Sequence, residues 1–167
     1  MARSERLYQG RYYALYTNQH GEEFVSATNE VLIVPLTSEG DVLMTIEPSV
    51  AFDEPALILP GGEVEQEEEL SETASRELQE EIGYAPGRLD FLGEIRGFSK
   101  YIAVRSFLYL GRDLTASCLQ GDEKYTIEIE RVPLSTFEDL IMTGRLLDAR
   151  VIAALYITKG FLQRYPL

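Results

Sequence analysis

One segment of the sequence, residues 63–81, carries most of the charge of the chain. It holds nine glutamates and one basic residue, Arg76, so its net charge is −8, against −13 for all 167 residues. Its Glu, Leu, Ala and Gln content favours a helix, and we predict one over residues 68–82 that ends at Gly83 in a left-handed conformation. Such a helix either turns its charge to solvent or needs a ligand that compensates the charge.

The phase of this predicted helix places part of the charge on its buried side. At about 100° per residue, one apolar stripe contains Leu70, Ala74, Leu78 and Ile82. Glu77 and Glu81 fall within roughly 20° of Leu70, inside the arc that must face a sheet, and Glu80 lies at the edge of the stripe. We therefore expect two carboxylates that point inward.

Inward glutamates at this spacing are unfavourable without a partner. Glu77 and Glu81 are like-charged i,i+4 neighbours, which destabilises a helix. Glu80 and Glu81 also occupy the last turn, where the negative end of the helix dipole prefers cations. A divalent cation would reverse all these effects, and ligands that are all oxygen indicate Mg²⁺ or Mn²⁺. The sequence therefore predicts a metal site here, with a solvated helix face as the alternative.

Composition excludes several other classes of protein. The strong negative charge disfavours nucleic acid polymers as partners, and no apolar run approaches the roughly 20 residues that cross a bilayer. One cysteine, Cys118, and one histidine, His20, cannot form a disulfide or a Cys/His zinc site. The first residues lack the apolar segment of a secretory signal, so we expect a cytoplasmic protein without a membrane partner.

The remaining pattern predicts a single domain, residues 1–167, of the α/β (α+β) class. Strand composition occurs at 7–17 and 23–28, which form an N-terminal hairpin, and at 31–36, 42–46, 56–59, 89–96, 102–111 and 125–132. We expect Pro60-Gly61-Gly62 to stop a strand and residues 84–87 to form a loop. A short helix is predicted from Ser135 as N-cap to Gly144, and a last helix from Asp148 to about Gln163. This order favours a mixed sheet with helices on its faces.

The spacing of the acidic segment also resembles a known motif. Residues 62–84 match the Nudix box, G-x5-E-x7-R-E-U-x-E-E-x-G-U, at its seven fixed identities: Gly62, Glu68, Arg76, Glu77, Glu80, Glu81 and Gly83. At roughly 7% background for each residue, a chance match has a probability on the order of 10⁻⁸. Tyr84 departs from the aliphatic residue that is usual at the last position. Leu59–Gly62, Gly97–Ser99 and Gly121–Glu123 further resemble the branch that hydrolyses ADP-ribose and ADP compounds.

This resemblance implies a fold, a reaction and a cofactor. The fold is the Nudix α/β/α sandwich with a mixed central sheet, and residues 1–29 form an antiparallel hairpin that contributes to a homodimer. The reaction is Mg²⁺-dependent (or Mn²⁺-dependent) hydrolysis of the pyrophosphate bond in a small nucleotide such as ADP-ribose, which releases AMP and a phosphorylated remainder. After Ile46, this branch commonly has an arginine-bearing segment, whereas this chain has Glu47-Pro48, so the substrate within the branch stays open.

The resemblance also implies roles for individual residues. The expected metal ligands are the backbone carbonyl of Gly61 and the side chains of Glu77, Glu80 and Glu81. Glu68, Arg76 and Gly83 would be structural, with Arg76 tying the loop to the helix through Glu68 or Glu72. The general base is Glu80 or Glu123, with Asp122 as a further candidate. Residues expected to contact substrate are Gly62, Phe98, Ser99, Tyr101 and Tyr13.

Two alternatives to this function remain at the level of sequence. The same chemistry could act on another nucleotide sugar, a dinucleoside polyphosphate or a nucleoside triphosphate. The chain could also be a Nudix module that binds a nucleotide without hydrolysing it. The intact pair Glu80 and Glu81 argues against that module, because a sensor would be expected to lose one of them.

Overall fold

The computed structural model describes residues 4–121 and 125–165. Its strands are β1 (Glu5–Gln9), β2 (Ala14–Thr17), β3 (Glu23–Ser26), β4 (Glu30–Pro35), β5 (Asp41–Ser49), β6 (Glu54–Ile58), β7 (Gly61–Glu63), β8 (Tyr84–Ile95), β9 (Ile102–Ala103), β10 (Ser106–Ala116) and β11 (Glu128–Pro133). Its helices are α1 (Leu70–Glu77), which continues as a π-helical turn over Leu78–Ile82, α2 (Glu138–Met142) and α3 (Ala149–Arg164).

Three sheets organise these strands. The central sheet is mixed, with the order β7-β4-β10-β8, in which β4 and β10 are parallel and the other pairs antiparallel. A second sheet, β11-β5-β6, is antiparallel. The N-terminal sheet, β1-β2-β3-β9, lies outside the core, and all five residues of β1 are exposed.

The central sheet is buried on both faces, as the apolar run in β4 predicts. On one face, Val31 and Ile33 pack with Leu78 and other residues of α1 and the π-helical turn. On the other face, Leu32 and Val34 share a core cluster with residues of α3 such as Leu155. Because successive strand residues alternate between faces, one apolar strand holds a helix on each side. The predicted α/β/α arrangement with a mixed sheet is therefore confirmed.

The acidic helix begins and ends close to its predicted limits. The backbone N–H of Glu69 donates to the Glu72 carboxylate at 3.3 Å, which supplies an acceptor at the start of the helix. Gly83 ends it with φ of +73°, a left-handed conformation that favours glycine. The π-helical turn between them was not predicted, and its wider spacing carries Glu80 and Glu81.

Several predicted boundaries are wrong. Residues 7–17 form two antiparallel strands, β1 and β2, because a turn closed by the Gly10 N–H and the Tyr13 carbonyl interrupts the run. The predicted strand 102–111 is divided into β9 and β10, and β10 continues to Ala116. Residues 84–87 are the start of β8 and not a loop, since they pair with the extended end of β10.

The predicted stop of a strand before Gly61 is confirmed, since β6 ends at Ile58. Gly61 and Gly62 do not form a loop, however, but belong to β7, which pairs antiparallel with β4. Ser135 is not an N-cap, because α2 begins after Phe137, whose fully buried side chain fixes the chain in the core. The last helix, α3, begins at Asp148 as predicted, and Asp148 is its N-cap, whose carboxylate accepts from the N–H groups of Arg150 and Val151. No helix in the described part of the chain is long and apolar enough to cross a membrane.

Candidate active site

The site is built where β7 passes the C-terminal half of the acidic helix. Glu77 and Glu81 are 6% and 9% exposed, so the expectation that both face inward is confirmed. The Gly61 N–H donates to Glu81 Oε2 at 3.1 Å. A Cβ atom on Gly62 would lie 2.3 Å from Glu77 Oε1, so the carboxylate packs directly on the glycine backbone. This close approach explains why the chain has glycine next to the helix.

Arg76 neutralises the carboxylates around this contact. Its Nε and Nη2 donate to the two oxygens of Glu68 at 3.0 and 3.2 Å. Its Nη1 lies 2.8 Å from Glu77 Oε1 and 2.9 Å from Glu80 Oε2. The hydrogen bonds that Arg76 donates to Glu68 lower the pKa of Glu68 and raise the pKa of Arg76. Of the two partners expected for Arg76, the structure brings Glu68 to it, while Glu72 bonds to the start of the helix.

The donor set fits a hard divalent cation in its chemistry. Glu77, Glu80 and Glu81 supply carboxylate oxygens without nitrogen or sulfur, and the Gly61–Gly62 backbone lies against two of them. Within residues 4–121 and 125–165, no three Asp, Glu, His or Cys side chains are grouped closely enough to hold a metal as they stand. In this arrangement Arg76 Nη1 contacts the carboxylates of both Glu77 and Glu80.

An open recess lies beside these glutamates. It has a volume of about 260 Å³, and we call it the acidic recess; its lining is Glu80, Glu81, Gly121, Tyr125 and Ile127. The chain after β10 is fixed to the π-helical turn, since the Leu119 N–H donates to the Gln79 carbonyl at 3.0 Å and Ser117 Oγ donates to Gln79 Oε1 at 2.8 Å. These bonds bring the segment that follows β10 to the glutamates.

The general base stays a prediction. Glu80 lines the recess and contacts Arg76. Glu123 and Asp122 lie outside the described residues. Gly121 lines the recess immediately before them in the sequence.

The aromatic residues expected to contact substrate lie elsewhere. Phe98 and Tyr101 form a ring pair 5.2 Å apart, and the Tyr101 carbonyl accepts from the Val25 N–H of the N-terminal sheet. Tyr13, at the turn between β1 and β2, is 60% exposed. Among the described residues that line the acidic recess there is no Phe98, Ser99, Tyr101 or Tyr13. Their role in substrate binding therefore stays a prediction.

A groove larger than the acidic recess lies elsewhere on the molecule. It has a volume of about 660 Å³ and is lined in part by Tyr84, Arg88 and Arg112, without Glu77, Glu80 or Glu81. Both of these arginines are bound to Asp90, at 2.9 Å for Arg88 and by a short contact for Arg112. The lining of this groove therefore lacks the three glutamates, and the acidic recess is the candidate active site.

Comparison with known proteins decides the family. The family model described as NUDIX domain matches residues 27–155, more than half of the chain. The chain belongs to the Nudix family. The "ADP compounds hydrolase NudE" of Escherichia coli (strain K12) is 29% identical over 133 residues, which cover 80% of this chain and 71% of the relative. The "ADP-ribose pyrophosphatase" of Bacillus subtilis (strain 168) is 26% identical over 162 residues, which cover 90% of this chain and 87% of the relative.

A solved structure supports the fold of this Nudix chain. The crystal structure of an ADP compounds hydrolase superposes with a TM-score of 0.85 at 24% identity, covering 98% of this chain and 94% of the other. The prediction of a Nudix hydrolase is confirmed by the family match and these relatives. Nudix hydrolases generally use a divalent metal, which agrees with the donor set described above.

Two residues near the site were not found by sequence reasoning. Tyr125 lines the acidic recess, and its hydroxyl donates to Glu47 Oε2 at 2.9 Å. Tyr125 falls in the predicted strand 125–132. Glu47 stands where the ADP-ribose branch of the family commonly has an arginine-bearing segment. Their separation of 78 residues leaves no local signal that they meet.

Proposed function

We propose that this Nudix hydrolase cleaves the pyrophosphate bond of ADP-ribose or a related ADP-linked compound, giving AMP and a phosphorylated remainder. The observation that carries the proposal is the pair of inward carboxylates, Glu77 and Glu81, packed on the Gly61–Gly62 backbone at the edge of a recess. The names of the two relatives, an ADP compounds hydrolase and an ADP-ribose pyrophosphatase, support this choice of substrate. The substrate is a small nucleotide and not a nucleic acid polymer, which the charge of −13 would repel.

The proposed cofactor is Mg²⁺ or Mn²⁺, held by Glu77, Glu80, Glu81 and the Gly61 carbonyl. When bound, such an ion neutralises the pyrophosphate oxygens and acidifies water, which supplies most of what phosphoryl transfer needs. Glu77 and Glu81 are fixed for this task by the glycine backbone and by the Gly61 N–H. Arg76 forms ion pairs with Glu68, Glu77 and Glu80. These ion pairs hold the helix in place, so that its carboxylates stay in position to bind the cation.

The proposed hydrolysis forms one P–O bond, breaks another and transfers one proton. The oxygen of water forms a bond to one phosphorus, and the bond from that phosphorus to the bridging oxygen breaks. Glu80 or Glu123 takes the proton of the water, and the two products are phosphomonoesters. We expect Glu80→Gln and Glu123→Gln each to lower turnover by roughly 10²-fold or more without unfolding the chain. Near-normal rates in both variants would remove them from the role of base.

The test is a substrate panel with identification of the products. The purified chain is incubated with Mg²⁺ and ADP-ribose, NADH, diadenosine triphosphate, GDP-mannose or a nucleoside triphosphate. Release of AMP from ADP-ribose or another ADP-linked compound is the expected result. Cleavage of triphosphates alone would refute the substrate assignment, and binding without cleavage of any compound would indicate a nucleotide-binding module. Glu81→Gln serves as the inactive control.

We also propose that the chain acts as a cytoplasmic homodimer. The N-terminal sheet exposes large side chains, including Tyr8 at 67% and Tyr12 at 56%, and a second copy could cover them. Light scattering on the eluted protein should give twice the monomer mass of 18.9 kDa. A monomer that hydrolyses its substrate at the full rate would contradict a role for the dimer in the site.

A further inference from the structure

The π-helical turn leaves the main-chain carbonyl of Gln79 for a partner outside the helix. In an α-helix, the Gly83 N–H would donate to the carbonyl four residues earlier, which is that of Gln79. In the π-helical turn, the Gly83 N–H donates to the Leu78 carbonyl, five residues earlier. The Gln79 carbonyl accepts instead from the Leu119 N–H at 3.0 Å. The irregular turn thus provides an acceptor for the segment that follows β10.

The side chain of Gln79 binds the same segment. Its Nε2 donates to the Ser75 carbonyl at 2.9 Å, which fixes the amide so that Oε1 accepts from Ser117 Oγ at 2.8 Å. The Ser117 N–H donates in addition to the Gly83 carbonyl at 2.9 Å. Three hydrogen bonds therefore join residues 117–119 to the end of the acidic helix, and we call the pair Gln79 and Ser117 the clamp.

Hydrogen bonds hold this segment because strand pairing and packing contribute little there. The pairing of β10 with β8 ends at Ala116. Ser117 is half-buried, and the three residues that follow it are exposed, with Leu119 at 44%. A segment with few buried apolar contacts opens readily, so the loss of a hydrogen bond at Gln79 should release it.

The clamped segment leads into the lining of the acidic recess. Gly121 is two residues beyond Leu119 and lines the recess together with Glu80 and Glu81. Gln79 immediately precedes Glu80, so the turn that carries the two glutamates also holds this part of the lining. A displacement of about 1 Å at a reaction site can cost about 10²-fold in rate, so the clamp lies where a small shift has a large effect.

We propose that Gln79 and Ser117 are positioning residues for hydrolysis, which fix the lining of the acidic recess relative to Glu80 and Glu81 without touching the substrate. This inference rests on the proposed function, because it concerns turnover at the same site. The Nudix box leaves the position of Gln79 open to any residue, so the motif itself assigns no role to it.

The first experiment measures kcat and KM for ADP-ribose with Mg²⁺ in variants of the full chain. Ser117→Ala removes the donor to Gln79 and should lower kcat/KM about tenfold. Ser117→Thr keeps the hydroxyl and should stay within about twofold of the wild type. Gln79→Met keeps the length of the side chain without its amide, and it should also lower kcat/KM about tenfold or more.

A double variant and a control separate the clamp from a general loss of structure. Because the two residues act through one hydrogen bond, Ser117→Ala combined with Gln79→Met should be within about twofold of Gln79→Met alone. The control, Thr115→Ala, removes a hydroxyl from the same strand that bonds to the Ala85 carbonyl, and it should keep wild-type kinetics. All variants should melt within about 4 °C of the wild type, so that a lower rate does not reflect unfolded protein.

The second experiment measures the clamp without turnover. Amide hydrogen exchange, followed by nuclear magnetic resonance, should show the Leu119 N–H protected in the wild type and in Thr115→Ala. In Ser117→Ala and Gln79→Met, this amide should exchange about tenfold faster or more.

An unprotected Leu119 amide in the wild type would overturn the inference, as would wild-type kcat/KM in Ser117→Ala or fully additive losses in the double variant. A wild-type chain that hydrolyses no ADP-linked compound would refute the proposed function and, with it, the role of the clamp in turnover. Hydrogen exchange would then still show whether the clamp holds the segment, so the two failures are distinguishable.

Discussion

Replacement of Arg76 by alanine should destabilise the chain more than the loss of any surface ion pair. Arg76 is 24% exposed at its side chain and bridges Glu68, Glu77 and Glu80, whose side chains are 17%, 8% and 17% exposed. Removal of one partner from a buried ion pair costs about 3–5 kcal/mol. Since Arg76 keeps some contact with water, we expect a loss of about 3 kcal/mol. At about 2–4 °C per kcal/mol for a chain of this size, the melting temperature should fall by about 6–12 °C.

The assay is urea unfolding at pH 7 in low salt, with Arg88→Ala as the matched control. Arg88 also pairs with a carboxylate, that of Asp90, but its side chain is 57% exposed, and Arg112 binds the same Asp90. Exposed pairs contribute about 0–1 kcal/mol, so the control should lose at most about 1 kcal/mol. A loss in Arg76→Ala no larger than that in Arg88→Ala would refute the reasoning.

The pH dependence gives a second check on the same residue. Hydrogen bonds from Arg76 hold the pKa of Glu68 below its ordinary value of 4.5 in the folded state. A depressed carboxyl pKa contributes stability that is present above the unfolded pKa and is lost as pH falls through the folded pKa. The difference in unfolding free energy between wild type and Arg76→Ala should therefore be largest near neutral pH and shrink below 4.5. A difference that stays constant to pH 3 would contradict this account of the pair.

Three further variants test the two glycines of β7 and the cap of the last helix. Gly62→Ala places a Cβ 2.3 Å from Glu77 Oε1, so it should displace this carboxylate and lower hydrolysis by about 10²-fold, at a cost near 1 kcal/mol in urea unfolding. Gly61→Ala places a Cβ 2.2 Å from the Val31 carbonyl of the central sheet, where the neighbour is backbone, and should cost at least about 2 kcal/mol. Equal stability of these two variants would argue against the packing described. Asp148→Ala removes the acceptor at the start of α3 and should cost about 1–2 kcal/mol, whereas unchanged unfolding would remove its role as a cap.

The sequence predicted the acidic helix well because its signals are local and agree with one another. The apolar stripe, the inward phase of Glu77 and Glu81, and the left-handed Gly83 all follow from spacing within one helix. The cap at Asp148 is of the same kind, since a short polar side chain precedes an apolar periodic run. Where the apolar periodicity, the cap residue and the terminating glycine of a helix all lie within the helix or next to it, its limits and its buried face can be predicted.

The sequence failed where distant strands decide the local structure. Residues 84–87 contain Pro86 and Gly87 and were expected to form a loop, yet pairing with β10 extends the strand through them. The contact of Tyr125 with Glu47 joins the segment before β11 to β5, at positions 78 residues apart in the sequence. At residues 84–87, strand pairing overrides the turn preference of Pro86 and Gly87. The contact between Tyr125 and Glu47 depends on the tertiary fold, so no local sequence signal predicts it.

We propose that Glu77 and Glu81 face inward because a divalent cation and a diphosphate ester complete their site. The most direct test is a titration of Mn²⁺, followed by electron paramagnetic resonance, into the wild-type chain and Glu81→Gln in the presence of AMP. We expect saturable uptake by the wild type and binding weakened at least about tenfold in the variant. Equal uptake by both proteins, or no uptake by the wild type, would contradict it.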